Sequence, residues 1–105
     1  MAAAENTTLT LIVISYDVST KSPDGKRRLR KVAQACEDYG QRVQCSVFEC
    51  WVDPTHIAVL KNRLLSLIDP ATDSLRFYYL GEHWRGRTEH FGSKSVLDPQ
   101  GSLII

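Results

Sequence analysis

Hydrophobic and polar positions divide this chain into short blocks of distinct period. Leu9 to Tyr16 reads Leu-Thr-Leu-Ile-Val-Ile-Ser-Tyr, uncharged and rich in β-branched residues. Such a run predicts a strand covered on both faces and therefore central in its sheet. It ends at Asp17, the first charge after eleven uncharged residues. Ser19 to Gly25 is a turn-forming stretch. From Lys26 to Tyr39, Leu29, Val32, Cys36 and Tyr39 line one stripe of an amphipathic helix. Gly40 then stands where a left-handed helix cap is expected.

Arg42 to Val52 is β-rich and fits either one long bent strand or two short ones. Asp53-Pro54 opens a second helix, with a carboxylate as N-cap and proline at the first helical position. Ile57, Leu60, Leu64 and Leu67 mark its apolar face, and it ends near Asp69-Pro70. Ser74 to Leu80 alternates Leu75, Phe77 and Tyr79 against Arg76, Tyr78 and Leu80, the period of a strand. Beyond Gly81 the pattern weakens. Arg87 to Phe91 fits a short strand, and Ser102 to Ile105 closes on Leu103-Ile104-Ile105, an apolar end that suggests docking onto a partner subunit.

Strand, helix, strand pair, helix, strand is the order of the α+β ferredoxin-like sandwich, βαββαβ, here with an extra C-terminal strand. Two helices cover one sheet face, and a second subunit is the expected cover for the other, which predicts a homodimer. The expected organisation is a loose lead-in over residues 1–8, one domain over 9–81, and a dimer-docking strand and tail over 82–105.

Composition narrows the function classes. At 105 residues, 43% hydrophobic and 24% charged, the chain has ordinary globular composition and room for one domain. Its net charge of +1 by itself points to no partner, yet the segment from Lys21 to Arg42 holds seven basic and three acidic residues. The cysteines Cys36, Cys45 and Cys50 and the histidines His56, His83 and His90 fall in no zinc-type spacing, and reduced thiols are expected. The N-terminus lacks a basic segment followed by an apolar one, and no run approaches a membrane span. A cytoplasmic protein without membrane contact is expected.

Asp17 is the first candidate for chemistry. A carboxylate at the end of a buried strand suits Mg²⁺, which takes one or two carboxylates plus waters and substrate phosphates; the plainer alternative is a loop-start Asp bonding nearby amides. Lys26-Arg27-Arg28-Leu29-Arg30-Lys31 is the second. Basic side chains at a helix start oppose the helix dipole, so phosphate contact by Arg27, Arg28 or Arg30 would explain them; a solvated helix face is the alternative. Arg42 enters a strand in which Phe48 has a core pattern and Glu49 interrupts it, as a partner for an arginine would. A Gly-rich phosphate loop, a nucleophile motif and the aromatic strand pattern of RNA-reading domains are all missing.

Tyr16-Asp17-Val18, the basic run Lys26 to Val32, Tyr39-Gly40, Arg42-Val43-Gln44-Cys45-Ser46-Val47-Phe48-Glu49 and Leu75 to Leu80 appear in order. Over residues 9–81 this closely resembles the CRISPR-associated protein two family, the small non-integrase partner in spacer acquisition. The resemblance implies a ferredoxin-like homodimer that binds Mg²⁺, or another divalent cation such as Mn²⁺, through Asp17. It implies a metal-dependent endonuclease on RNA or double-stranded DNA, working with the adaptation integrase. It places Tyr16, Arg27, Arg28, Arg30, Arg42 and Ser46 at the nucleic acid, with Phe48 and Glu49 beside the site. A non-catalytic DNA-binding scaffold, with Asp17 structural or vestigial, is the alternative. A single Asp makes a poor magnesium site, so the enzyme reading requires a twofold axis that brings two copies of Asp17 together.

Overall fold

The computed structural model describes residues 9–80 and 88–93. Strand β1 (Thr10–Asp17) leads to helix α1 (Pro23–Glu37), a hairpin of β2 (Gly40–Gln44) and β3 (Val47–Val52), helix α2 (Pro54–Leu67), β4 (Ser74–Leu80) and β5 (Thr88–Gly92). The five strands make one antiparallel sheet in the order β2-β3-β1-β4-β5. This is the ferredoxin-like α+β arrangement, with β5 as the extra strand beside β4. Residues 1–8, expected to be a loose lead-in, and Leu103-Ile104-Ile105, expected to dock on a partner, lie outside the described residues.

Side-chain parity explains the layering. Ile12 sits opposite Cys50 and Tyr79, and Ile14 opposite Phe48 and Phe77. Cross-strand partners share a face, and all six are buried. Val32, Ala35 and Cys36 from α1 and Leu60 and Leu64 from α2 complete this layer. Each large apolar side chain buried there contributes about 1.5–3 kcal/mol relative to exposure. Leu11, Val13, Ser15 and Asp17 occupy the other face of β1, in line with Trp51, Glu49 and Val47 on β3 and with Leu80, Tyr78, Arg76 and Ser74 on β4. Among the described residues no helix covers that face. Trp51 there is 61% exposed. The central placement of β1 is as expected, but among the described residues only its helix side is sealed.

Two local expectations, the start of α1 and the role of Gly40, are corrected, and the open alternative at Arg42 to Val52 is resolved. Helix α1 begins at Pro23, inside the stretch read as a turn, because Ser22 is its N-cap, its hydroxyl accepting from the Gly25 amide. Arg42 to Val52 is two strands, broken by a turn at Cys45-Ser46 with a bulge between Arg42 and Gln44. Gly40 is not a left-handed cap but the first residue of β2; a Cβ there would collide with the Glu49 carbonyl and the Cys50 sulfur. Helix α2 starts as predicted, Asp53 accepting from the His56 amide at 2.9 Å ahead of Pro54.

Candidate active site

The C-terminal end of β1 brings together the β2–β3 turn, the start of β4 and the end of β5. Tyr16 and Asp17, adjacent in sequence, leave it on opposite faces. Tyr16 is 4% exposed and stacks on Phe48 with ring centroids 6.1 Å apart. Its amide donates to the Ser46 carbonyl at 3.1 Å, which ties the turn to the strand end. Burial, with Cys36 beside it, raises the phenol's pKa, and the Arg42 guanidinium acts against that rise. Asp17 is exposed on the open face, opposite Ser74.

Arg42 belongs to the helix side. Its guanidinium lies over the Phe48 ring, 4.9 Å from the centroid, donates to the Cys45 carbonyl at 2.6 Å, and pairs with Glu37 at the end of α1 at 3.3 Å. Phe48 is fully buried, so it supports Tyr16 and Arg42 from beneath. Glu49 points to the open face across from Gln41 and makes no ion pair among the described residues; the acidic partner of Arg42 is Glu37. The structure therefore gathers Tyr16, Arg42, Ser46 and Phe48 on one side of the sheet and leaves Asp17 and Glu49 on the other.

The loop that follows Asp17 is held by a residue the sequence did not mark. Asp73, just before β4, is completely buried. One carboxylate oxygen accepts from the Ser19 amide at 3.0 Å; the other accepts from the Asp69 amide at 2.8 Å and Arg28 Nε at 2.8 Å. Thr72 adds its hydroxyl at 3.1 Å. Burial alone would raise the pKa of this carboxyl, but the Arg28 guanidinium and the two amides more than offset it, and the group is held below the ordinary carboxylate range. The Asp73 carbonyl accepts from the Ser93 amide at 2.8 Å, and Gly92, at φ +112°, packs so closely on that carbonyl that no Cβ would fit. Asp73 thus pins the exit of β1, the first turns of α1, the start of β4 and the end of β5. Its position directly ahead of a strand was the only sequence signal.

The helix arginines have three different fates. Arg27 pairs with Asp24 one turn earlier at 3.0 Å, both exposed. Arg28 is consumed by Asp73, with 21% of its side chain exposed. Arg30 is exposed, as are Lys26 and Lys31, and makes no ion pair among the described residues. All of them ride on α1, which packs on the sheet face opposite to that of Asp17.

Among the described residues no three His, Cys, Asp or Glu side chains converge as a metal cage. Magnesium does not require one: it keeps most of its waters and takes one or two carboxylates. Asp17 is an exposed hard-oxygen donor on a rigid strand, which fits half of such a site; Asp73 is committed to Arg28 and backbone amides. The thiols are all free. Burial pushes Cys36 up to about 12 and Cys50 up to about 11, which makes both unreactive, while Cys45 is exposed in the β2–β3 turn.

The family model for CRISPR associated protein Cas2 matches residues 10–88. The CRISPR-associated endoribonuclease Cas2 of Nitratidesulfovibrio vulgaris is 61% identical over 90% of this chain and 93% of its own length. The CRISPR-associated endonuclease Cas2 of Halalkalibacterium halodurans is 54% identical over 90% of this chain and 99% of its own. The crystal structure of Streptococcus pyogenes Cas2 superposes with a TM-score of 0.64 at 52% identity, covering 78% of this chain and 99% of that one.

Proposed function

The chain belongs to the CRISPR associated protein Cas2 family, and on that premise we propose that it is a metal-dependent endonuclease of CRISPR adaptation that cuts phosphodiester bonds of RNA or double-stranded DNA. The observation that carries the reading is the placement of Asp17: an exposed carboxylate at the end of the central strand, on the sheet face that no helix covers among the described residues. Relatives named endoribonuclease and endonuclease support the same chemistry.

In this reading the protein is a homodimer whose open faces meet, so that two copies of Asp17 line one cleft. Two carboxylates held close repel one another and resist full ionisation without a cation. Bound Mg²⁺ or Mn²⁺ would supply a water of lowered pKa and a positive charge against the phosphate. The chain's own part is rigidity. Strand β1 is bonded on both sides, Tyr16 is locked between Phe48 and the Ser46 carbonyl, and the loop after Asp17 is tied to Asp73. The carboxylate therefore keeps a fixed position as substrate arrives.

The exposed basic ridge of α1 favours a second role. Lys26, Arg27, Arg30 and Lys31 lie on the far side of the sheet from Asp17 and suit phosphate contact without cutting. In that reading the protein is a DNA-binding scaffold that partners the adaptation integrase, and Asp17 is structural or vestigial. The two readings separate in a cleavage assay on RNA and duplex DNA with and without Mg²⁺. For an enzyme, cleavage requires the metal and falls by orders of magnitude in Asp17→Asn while DNA binding persists. Equal cleavage by wild type and variant leaves the scaffold.

A further inference from the structure

A carboxylate and a cation do not by themselves hold a phosphodiester in place; a donor that grips the phosphate is expected beside them. The arginines that the sequence offers for this work are on the wrong side of the sheet. Arg27 and Arg28 are paired to Asp24 and Asp73 on α1, and Arg42 is paired to Glu37 over the helix-side Phe48. Among the described residues, one Lys or Arg lies on the open face with Asp17: Arg76, in the middle of β4.

The register places it closely. Asp17 stands opposite Ser74, and Arg76 is two residues further along β4, opposite Ser15. This makes it a diagonal neighbour of Asp17, about 7–8 Å away between backbones and within reach of a long side chain. Its guanidinium is held from two sides by uncharged groups. Nε and Nη2 contact His90 Nδ1 at 3.4 and 3.3 Å across the β4–β5 ladder, and Nη1 donates to the Tyr78 hydroxyl at 3.2 Å. No carboxylate among the described residues neutralises it.

Arginine only donates, so His90 Nδ1 must accept, and the ring's hydrogen lies on Nε2. That nitrogen is buried with no partner among the described residues. An unpaired buried donor is destabilising, and a phenylalanine would avoid it; what the imidazole provides in return is a lone pair aimed at Arg76. The guanidinium is thereby oriented without losing its charge or its remaining N–H groups. A forked cation held by neutral neighbours is the chemistry that recognises phosphate.

We propose that Arg76 binds the phosphate of the nucleic-acid strand at the Asp17 site and offsets the charge that develops on it during cleavage, with His90 and Tyr78 as its positioning residues. This rests on the endonuclease reading. The test compares wild type, Arg76→Gln and Arg76→Lys by steady-state cleavage, by sedimentation, and by the salt dependence of duplex DNA binding in the Asp17→Asn background. Arg76→Gln is expected to remain dimeric and lose about 100-fold or more in kcat. Its log–log salt slope is expected to fall by about 0.9, one phosphate contact. Arg76→Lys is expected to keep the slope and recover part of the rate. Wild-type rates in both variants overturn the proposal. So does dissociation of Arg76→Gln into monomers with the Lys variant fully active, which makes Arg76 a partner for a carboxylate of the second copy. If Arg76→Gln does not fold by circular dichroism, the Lys variant decides: unchanged kcat and KM overturn the proposal, and a loss in kcat supports it. Should wild type itself lack metal-dependent cleavage, the endonuclease reading fails, and an unchanged salt slope is then what overturns the phosphate contact.

Discussion

The two faces of the sheet are built on opposite terms. On the helix side every polar group near the strand end is already spoken for: Arg28 by Asp73, Arg42 by Glu37 and the Cys45 carbonyl, and the Tyr16 ring by Phe48. On the open side the charged groups Asp17, Glu49 and Arg76 stand among half-covered Leu11, Val13 and Tyr78 and a largely exposed Trp51. The first face stores stability, and the second carries its charges on a surface that the described helices leave open. Tyr16 and Asp17 make the lesson concrete. Adjacent letters of one motif serve different purposes because a strand turns successive side chains to opposite sides.

That contrast yields predictions of decreasing size. Phe48→Ala should cost about 3–5 kcal/mol, a large part of a small domain's stability. Trp51→Ala, three residues further along β3 and on its open face, should change the stability of the dissociated chain by no more than about 0.5 kcal/mol. Urea midpoints for the pair measure the asymmetry, and equal losses would erase it.

Asp73→Asn comes next, at about 2–3 kcal/mol, since it leaves Arg28 partly buried without its counter-charge. The sign with pH is fixed by the depressed pKa of Asp73 in the folded state. Its contribution is present above the unfolded carboxyl value of about 3.9 and is lost as the pH falls through the lower folded value. The gap between wild type and Asp73→Asn should therefore narrow below about pH 4 in a denaturation series. A constant gap would mean that the charge is not what matters.

Val13→Asp tests the open face as an interface. Val13 lies at its centre, between Glu49 and Tyr78. Sedimentation at micromolar concentration should show the variant shifted to monomer with helix content unchanged; a dimer as tight as wild type would move the association to another surface. The smallest effect belongs to Arg27→Ala. Its exposed pair with Asp24 is worth less than about 1 kcal/mol, while any phosphate it touches should appear as a fall of about 0.9 in the salt slope of DNA binding.

Much of the layering could be read from the sequence because period and capping are local. The Leu75, Phe77, Tyr79 alternation marked β4, and Asp53-Pro54 marked the start of α2. Ser22-Pro23 carries the same cap-and-proline signature for α1, but Gly25 disguised it as a turn; that glycine is there because a Cβ would strike the Ser19 carbonyl. Gly40 similarly answers to a close approach by β3 rather than to a left-handed cap. The electrostatics of the site were the least legible part. Asp73 meets Ser19 and Arg28 across separations of 54 and 45 residues, and such pairings depend on the finished topology. The same holds for the arginines. A cluster of five basic residues within Lys26 to Lys31 announces charge, but only the sheet decides on which side of Asp17 it falls.

The bulge in β2 has a consequence for how the protein behaves in a crowded cell. Strand β2 is an outer edge, and four of its five residues are exposed, which is the kind of template onto which foreign strands polymerise. The register slip between Arg42 and Gln44 interrupts the row of amides and carbonyls and increases the local twist. An incoming strand finds a broken ladder with a guanidinium beside it. One margin of the sheet is thereby closed to strand addition, and a foreign chain finds no continuous ladder there on which to seed a filament.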